Sequence, residues 1–174
     1  MEQIRIRKIT VENLFELQEI GKKTFVETFS SSNTAENMKL YLKEGFATEK
    51  LTAELQNPDS EFYFATCNDK VIGYLKVNFG QAQTELQDNK SLEIERIYVL
   101  NEYHGQKIGQ LLFEKAIAIA KNNRCEYVWL GVWEENHRAL QFYTKNGFVA
   151  FDQHVFVFGN EEQTDIMMKL EIVD

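Results

Sequence analysis

The feature that most constrains this chain is a change of rhythm between Ser91 and Gln110, SLEIERIYVLNEYHGQKIGQ. Leu92 and Ile94 alternate with Glu93 and Glu95, the period-two pattern of a strand. The polar run His104-Gly105-Gln106-Lys107-Ile108-Gly109-Gln110 follows. From there Ile108, Leu111, Leu112, Ala116 and Ile119 keep the spacing of an amphipathic helix. A strand must therefore pass through a glycine-containing turn into a helix start. The first N–H groups of a helix lack internal partners and stand at its positive end, which suits phosphate or pyrophosphate. Glu93 and Glu95 should share one strand face, roughly 6–7 Å apart.

Composition narrows what such a unit can serve. A chain of 174 residues, 44% of them hydrophobic, predicts one domain over 1–174 with a sizeable core. The net charge of −8 weighs against nucleic acid and anionic membranes as partners and is compatible with a cationic small molecule. Cys67 and Cys125 lie far apart, and His104, His137 and His154 show no metal-binding spacing, so neither a disulfide framework nor a metal site is expected. MEQIRIRKIT lacks an apolar signal segment and no apolar run reaches membrane-spanning length, so a cytoplasmic location is expected.

The rest of the chain reads as short elements. Ile4 to Arg7 alternate as a strand, and Thr10 caps a helix with Val11, Leu14, Phe15, Leu17 and Ile20 on one face. Asn33 with Glu36 resembles a capping box for a second helix ending at Gly45, and Thr48 to Gln56 predicts a third. These helices could supply a lid or an acceptor pocket. Phe62 to Cys67 and Val71 to Phe79 form a hairpin around Asn68-Asp69-Lys70. Tyr127 to Trp133 is apolar on both faces, as in a covered central strand. Asn136 caps a helix ending at Asn146-Gly147, and Phe148 to Phe158 with Thr164 to Leu170 close the fold as paired strands. The order predicts a mixed α/β or α+β sheet with helices on both faces. The glycine turn is neither G-x-G-x-x-G nor a Walker A loop.

Two motifs carry a family resemblance. His104 to Gly109 resembles the Q/R-x-x-G-x-G/A pyrophosphate loop of the GNAT N-acetyltransferases, with His104 in place of Gln or Arg and Lys107 in place of the first glycine. Asn136, Ala139, Tyr143 and Gly147-Phe148 are similar to that family's N-x-x-A-x-x-x-Y-x-x-x-G-F segment. The stretches ENMKLYL, SLEIERIYV, WLGVWEEN and EEQTDIMM resemble the PaiA-type polyamine acetyltransferases.

The resemblance implies a sheet of about seven strands, acetyl-coenzyme A as acyl donor, and spermidine or spermine as acceptor. It implies direct attack in a ternary complex, with Tyr143 as the acid meeting the thiolate and Glu95 as the base. Because an alkylamine has a pKa of about 10, some group must take its proton, through water or with a raised carboxylate pKa. Backbone groups of Ile97, Tyr98 and Val99 would pair with the pantetheine amides, and Asn136 would bond the same arm. The run from His104 to Gln110 would hold the pyrophosphate. Thr28, Phe29, Tyr74, Glu85, Glu93 and Trp133 are the acceptor-side candidates. Plain structural readings stand beside these: an ion pair of Glu95 with Arg96 or a lysine, core packing for Tyr143 and Trp133, and an N-cap for Asn136. The alternatives to a polyamine enzyme are a peptide or protein N-acetyltransferase and a coenzyme A-sensing regulatory module. The oligomeric state stays open between monomer and dimer.

Overall fold

The computed structural model describes residues 2–173. Strand β1 (Ile4–Lys8) leads through a 3-10 turn at Val11–Asn13 into helix α1 (Leu14–Phe29). Thr10 opens that turn, its hydroxyl accepting from the Glu12 N–H while Asn13 reaches back to the Thr10 N–H. Helices α2 (Ala35–Gly45) and α3 (Thr48–Gln56) follow. The cap of α2 is Thr34, not Asn33: the Thr34 hydroxyl accepts from the Asn37 N–H, and Asn33 instead bonds the Phe29 carbonyl.

Strands β2 (Ser60–Cys67) and β3 (Lys70–Asn78) form the predicted hairpin, with Asn68 and Asp69 at positive φ as a two-residue turn requires. Then come β4 (Ser91–Val99), α4 (Ile108–Asn122), β5 (Tyr127–Trp133), α5 (His137–Lys145), β6 (Val149–Phe158) and β7 (Glu161–Glu171). The seven strands make one mixed sheet in the order β1-β2-β3-β4-β5-β7-β6, antiparallel except for β4 with β5. The expected α/β class and strand number are borne out. Phe62, Phe64, Tyr74 and Lys76 share the sheet face that meets α1–α3, and Lys76 reaches Glu54 of α3. Tyr63 points the other way, under Lys115 of α4.

Two irregularities open the sheet at its centre. Parallel pairing of β4 with β5 stops at Glu93–Trp129, after which the strands share no further register. On its other side β4 carries a bulge: Lys76 pairs with Arg96 and Val77 with Ile94, leaving Glu95 as the extra residue. A bulge bends its strand and raises its twist. The backbone edge of Ile97 and Tyr98 that faces β5 is thereby left without a strand partner, while their other edge pairs with Leu75 and Tyr74.

Candidate active site

The parted strands lie between two cavities that meet. The first, about 480 Å³, is walled by Phe25, Phe29, Tyr41, Tyr74, Trp133 and Phe156 and carries Glu85, Glu93, Glu95 and Asp165. The second, about 900 Å³, is a groove along Val99, the turn before α4, and α5. Ile97, Tyr98, Asn136, Ala139 and Tyr143 line both. A ligand lying in the groove would thus present one end to the first cavity beside Tyr143.

The groove is built from the motif residues. His104, Gly105, Lys107, Ile108, Gly109 and Gln110 all line it; Gln106 is outside the lining. Gly105 and Lys107 have positive φ, +82° and +64°, and α4 starts directly after Lys107. A side-chain carbon added at Gly109 would meet nothing within 4 Å, so the space over this helix start is open to a ligand. The His104 ring donates from Nε2 to the Val99 carbonyl at 2.8 Å, since a carbonyl can only accept. Its Nδ1 is in contact with Arg138, a groove residue that the motif does not include. Lys145 also lines the groove. Free helix-start N–H groups and several cationic side chains match the phosphates of coenzyme A, and the unpaired β4 edge matches the pantetheine amides.

Tyr143 stands at the junction, 6% exposed, and burial raises its hydroxyl above the ordinary tyrosine value. Its ring packs edge-on against Phe142 and Phe148, which also flank Phe113 of α4. Asn136 caps α5, accepting from the Ala139 N–H, and lines the groove as well.

The carboxylates in the first cavity are not equivalent. Because of the bulge, Glu93, Glu95 and Arg96 gather on one side of β4, where strict alternation would send Arg96 to the other face. Lys76 Nζ donates to Glu95 at 2.8 Å and to Glu54 at 2.5 Å, while Arg96 Nη2 reaches Glu54 at 2.8 Å and Glu95 at 2.9 Å. Burial pushes the Glu95 carboxyl up, but Arg96 and Lys76 outweigh it and hold the group down at about 2. Glu93 is 3% exposed and, among the described residues, has no such cation. Burial raises its pKa against the hydrogen bonds from Thr84 and Asn78. Asn78 Nδ2 donates at 2.9 Å to Glu93 and at 2.9 Å to Glu95, joining the pair. Glu93 is therefore the carboxylate of the pair with the greater proton affinity, and Arg96 and Lys76 favour the charged form of Glu95.

The other acceptor candidates separate. Phe29, Tyr74, Glu85 and Trp133 line the first cavity, with the Phe29 and Trp133 rings 5.5 Å apart. Thr28 lines the groove instead, its hydroxyl donating to the Thr24 carbonyl. Glu85 accepts from His154 Nδ1 at 2.5 Å, and His154 stands opposite Asp165 across β6 and β7. Burial raises the Asp165 carboxyl. Sequence reading missed Lys76, Asn78, Tyr41, His154, Asp165 and Arg138. Lys76 and Asn78 had a legible signal: two polar residues at period two in an otherwise apolar strand.

Comparison with known proteins agrees with this architecture. Residues 17–148 match the family model described as the acetyltransferase (GNAT) family. An uncharacterised N-acetyltransferase from Lactobacillus delbrueckii subsp. lactis is 37% identical over 99% of this chain and 100% of its own. A spermidine N(1)-acetyltransferase from Thermoplasma acidophilum is 29% identical over 86% of this chain and 90% of its own. The crystal structure of a PaiA N-acetyltransferase from Thermoplasma acidophilum in complex with coenzyme A superposes with a TM-score of 0.81 at 26% identity, covering 98% of this chain and 99% of that one. With the motif groove, the parted strands and these similarities together, the chain belongs to the GNAT family and is an N-acetyltransferase whose acyl donor is acetyl-coenzyme A.

Proposed function

We propose that the acceptor is a polyamine such as spermidine or spermine, acetylated by direct attack within a ternary complex. The observation that carries this reading is the first cavity, where four carboxylates and nine aromatic side chains surround the approach to Tyr143. Two cations, Lys50 and Arg96, also line it. Arg96 is bound to Glu54 and Glu95, and Lys50 is exposed on α3. Among the described residues, Glu85 and Asp165 have no lysine or arginine within ion-pair distance; Glu85 holds the His154 ring, so an ammonium group meets no competing lysine or arginine at either carboxylate. Aromatic faces favour the same group. The relationship to a spermidine N(1)-acetyltransferase points in the same direction.

The reacting nitrogen must lose a proton. Transfer from an amine of pKa about 10 to a carboxylate held near 2 is uphill by about 11 kcal/mol. In this reading Glu93 takes the proton, being the carboxylate of the pair with the greater proton affinity. Glu95 holds Lys76 and Arg96 and, through Asn78, fixes Glu93. Tyr143 donates a hydrogen bond to the departing thiolate, and Ile97, Tyr98 and Asn136 orient the pantetheine arm. Thiol release measured across spermidine, spermine, monoamines and short peptides tests the acceptor. Rates on both polyamines no higher than background would overturn the proposal, and rates confined to peptides would favour a peptide or protein acetyltransferase.

A further inference from the structure

Gln83 is polar, yet only 2% of it is exposed. Its Oε1 accepts from Ser91 Oγ at 2.7 Å and from Trp129 Nε1 at 2.6 Å. Its Nε2 donates to the Asp88 carbonyl at 2.9 Å and the Gly80 carbonyl at 3.3 Å. An indole nitrogen only donates, so the oxygen of the amide must face Trp129. Both lone pairs and both N–H groups are thus in use, and the segment between β3 and β4 is tied to β4 and β5 at one buried point.

The next two residues face the acceptor cavity. Thr84 donates twice to Glu93, from its N–H to Oε1 at 2.8 Å and from its hydroxyl to Oε2 at 2.6 Å. Glu85 takes the His154 ring from across the cavity. A carboxylate gripped at both oxygens cannot rotate, and donors aimed at its charged form oppose the effect of burial. Fixed geometry of this kind is what acid–base groups need.

We infer that Gln83 and Thr84 are positioning residues for acetyl transfer. Gln83 locks the segment against the sheet, and Thr84 holds the Glu93 carboxylate in the orientation that meets the reacting amine. This rests on Glu93 as the proton acceptor. The charged groups around Glu93 are Glu95 and Arg96 on its own strand, Lys76 on β3, and Lys50, Glu85, His154 and Asp165 elsewhere around the cavity.

The test compares Thr84→Val, Thr84→Ser, Gln83→Leu and Glu93→Gln by thiol release with spermidine, coenzyme A binding by calorimetry, and carboxyl-carbon NMR titration of Glu93. Thr84→Val should lower kcat/KM for spermidine about tenfold, with the KM for acetyl-coenzyme A within about twofold of wild type. Thr84→Ser, which keeps the hydroxyl, should restore most of the rate. The Glu93 titration midpoint should move up in Thr84→Val, because a donor to the charged form is lost. Gln83→Leu should repeat the loss of kcat/KM; if it fails to fold, the Thr84 pair of variants decides. A Thr84→Val enzyme with wild-type kcat/KM and an unmoved midpoint would overturn the inference. Full activity in Glu93→Gln overturns the proton-acceptor reading and this inference with it, whereas a Glu93→Gln loss beside an indifferent Thr84→Val overturns this inference alone. If spermidine is not acetylated, the midpoint alone decides, and a stationary midpoint overturns it.

Discussion

Glu95 and Arg96 are neighbours in one strand, yet their side chains meet, with Arg96 Nη2 2.9 Å from Glu95 Oε2. Adjacent residues of a regular strand point to opposite faces. The bulge at Glu95 removes that separation and makes room for a second cation, Lys76, on the same carboxylate. Four charged side chains then form one buried network under the acceptor cavity.

This network gives the fold a defined response to acid. The folded-state pKa of Glu95 is depressed to about 2 from the ordinary carboxylate value of 4.5, so its contribution is fully present above 4.5 and is lost as pH falls through 2. The difference corresponds to about 3 kcal/mol. Denaturant melts across that window should show wild type losing stability steeply, with Glu95→Gln flatter. Equal slopes for the two would place the acid response elsewhere. At neutral pH, Glu95→Gln should itself cost about 3 kcal/mol, because Lys76 and Arg96 are left with Glu54 alone.

Tyr143→Phe keeps the ring packing with Phe142 and Phe148 and removes only the hydroxyl. Turnover should fall by about ten- to a hundredfold, while coenzyme A affinity and Tm stay close to wild type. Unchanged turnover would leave Tyr143 as a packing residue.

Lys107 holds a backbone conformation with φ +64° that a side chain disfavours by about 1 kcal/mol. Lys107→Gly relieves that strain and removes a cation from the groove. Tm should rise or hold while coenzyme A binding weakens by about three- to tenfold, an effect that shrinks at high salt. A matching loss of both would mean that the lysine acts through the fold rather than on phosphate.

Glu85→Gln and Asp165→Asn each remove a carboxylate from the part of the cavity that lacks lysine and arginine partners. Their effect should appear in KM for spermidine, raised about fivefold, and much less in KM for a monoamine. An equal rise for both amines would mean that neither carboxylate reads the distal charge.

The features legible in the sequence are those set by local rules. Periodicity, the hairpin around Asn68-Asp69-Lys70 and the strand-turn-helix over 91–110 each depend on residues close in the chain, and all three appear, the hairpin turn being the two residues Asn68-Asp69 with Lys70 already in the strand. The cap of α2 slipped by one residue because Asn33 and Thr34 have nearly equal capping chemistry, and contact with Phe29 decided between them. The proton affinities of Glu93 and Glu95 could not be read in this way. Two glutamates at positions i and i+2 are alike until a bulge sets Arg96 beside one of them. Lys76, Glu54 and Thr84 come from other elements, and only tertiary structure assigns them to one carboxylate or the other. The sequence by itself determined that a strand with two carboxylates leads into an anion-binding helix start. The fold decided which carboxylate stays charged, because charge in a buried site depends on which partners the chain brings within hydrogen-bond distance.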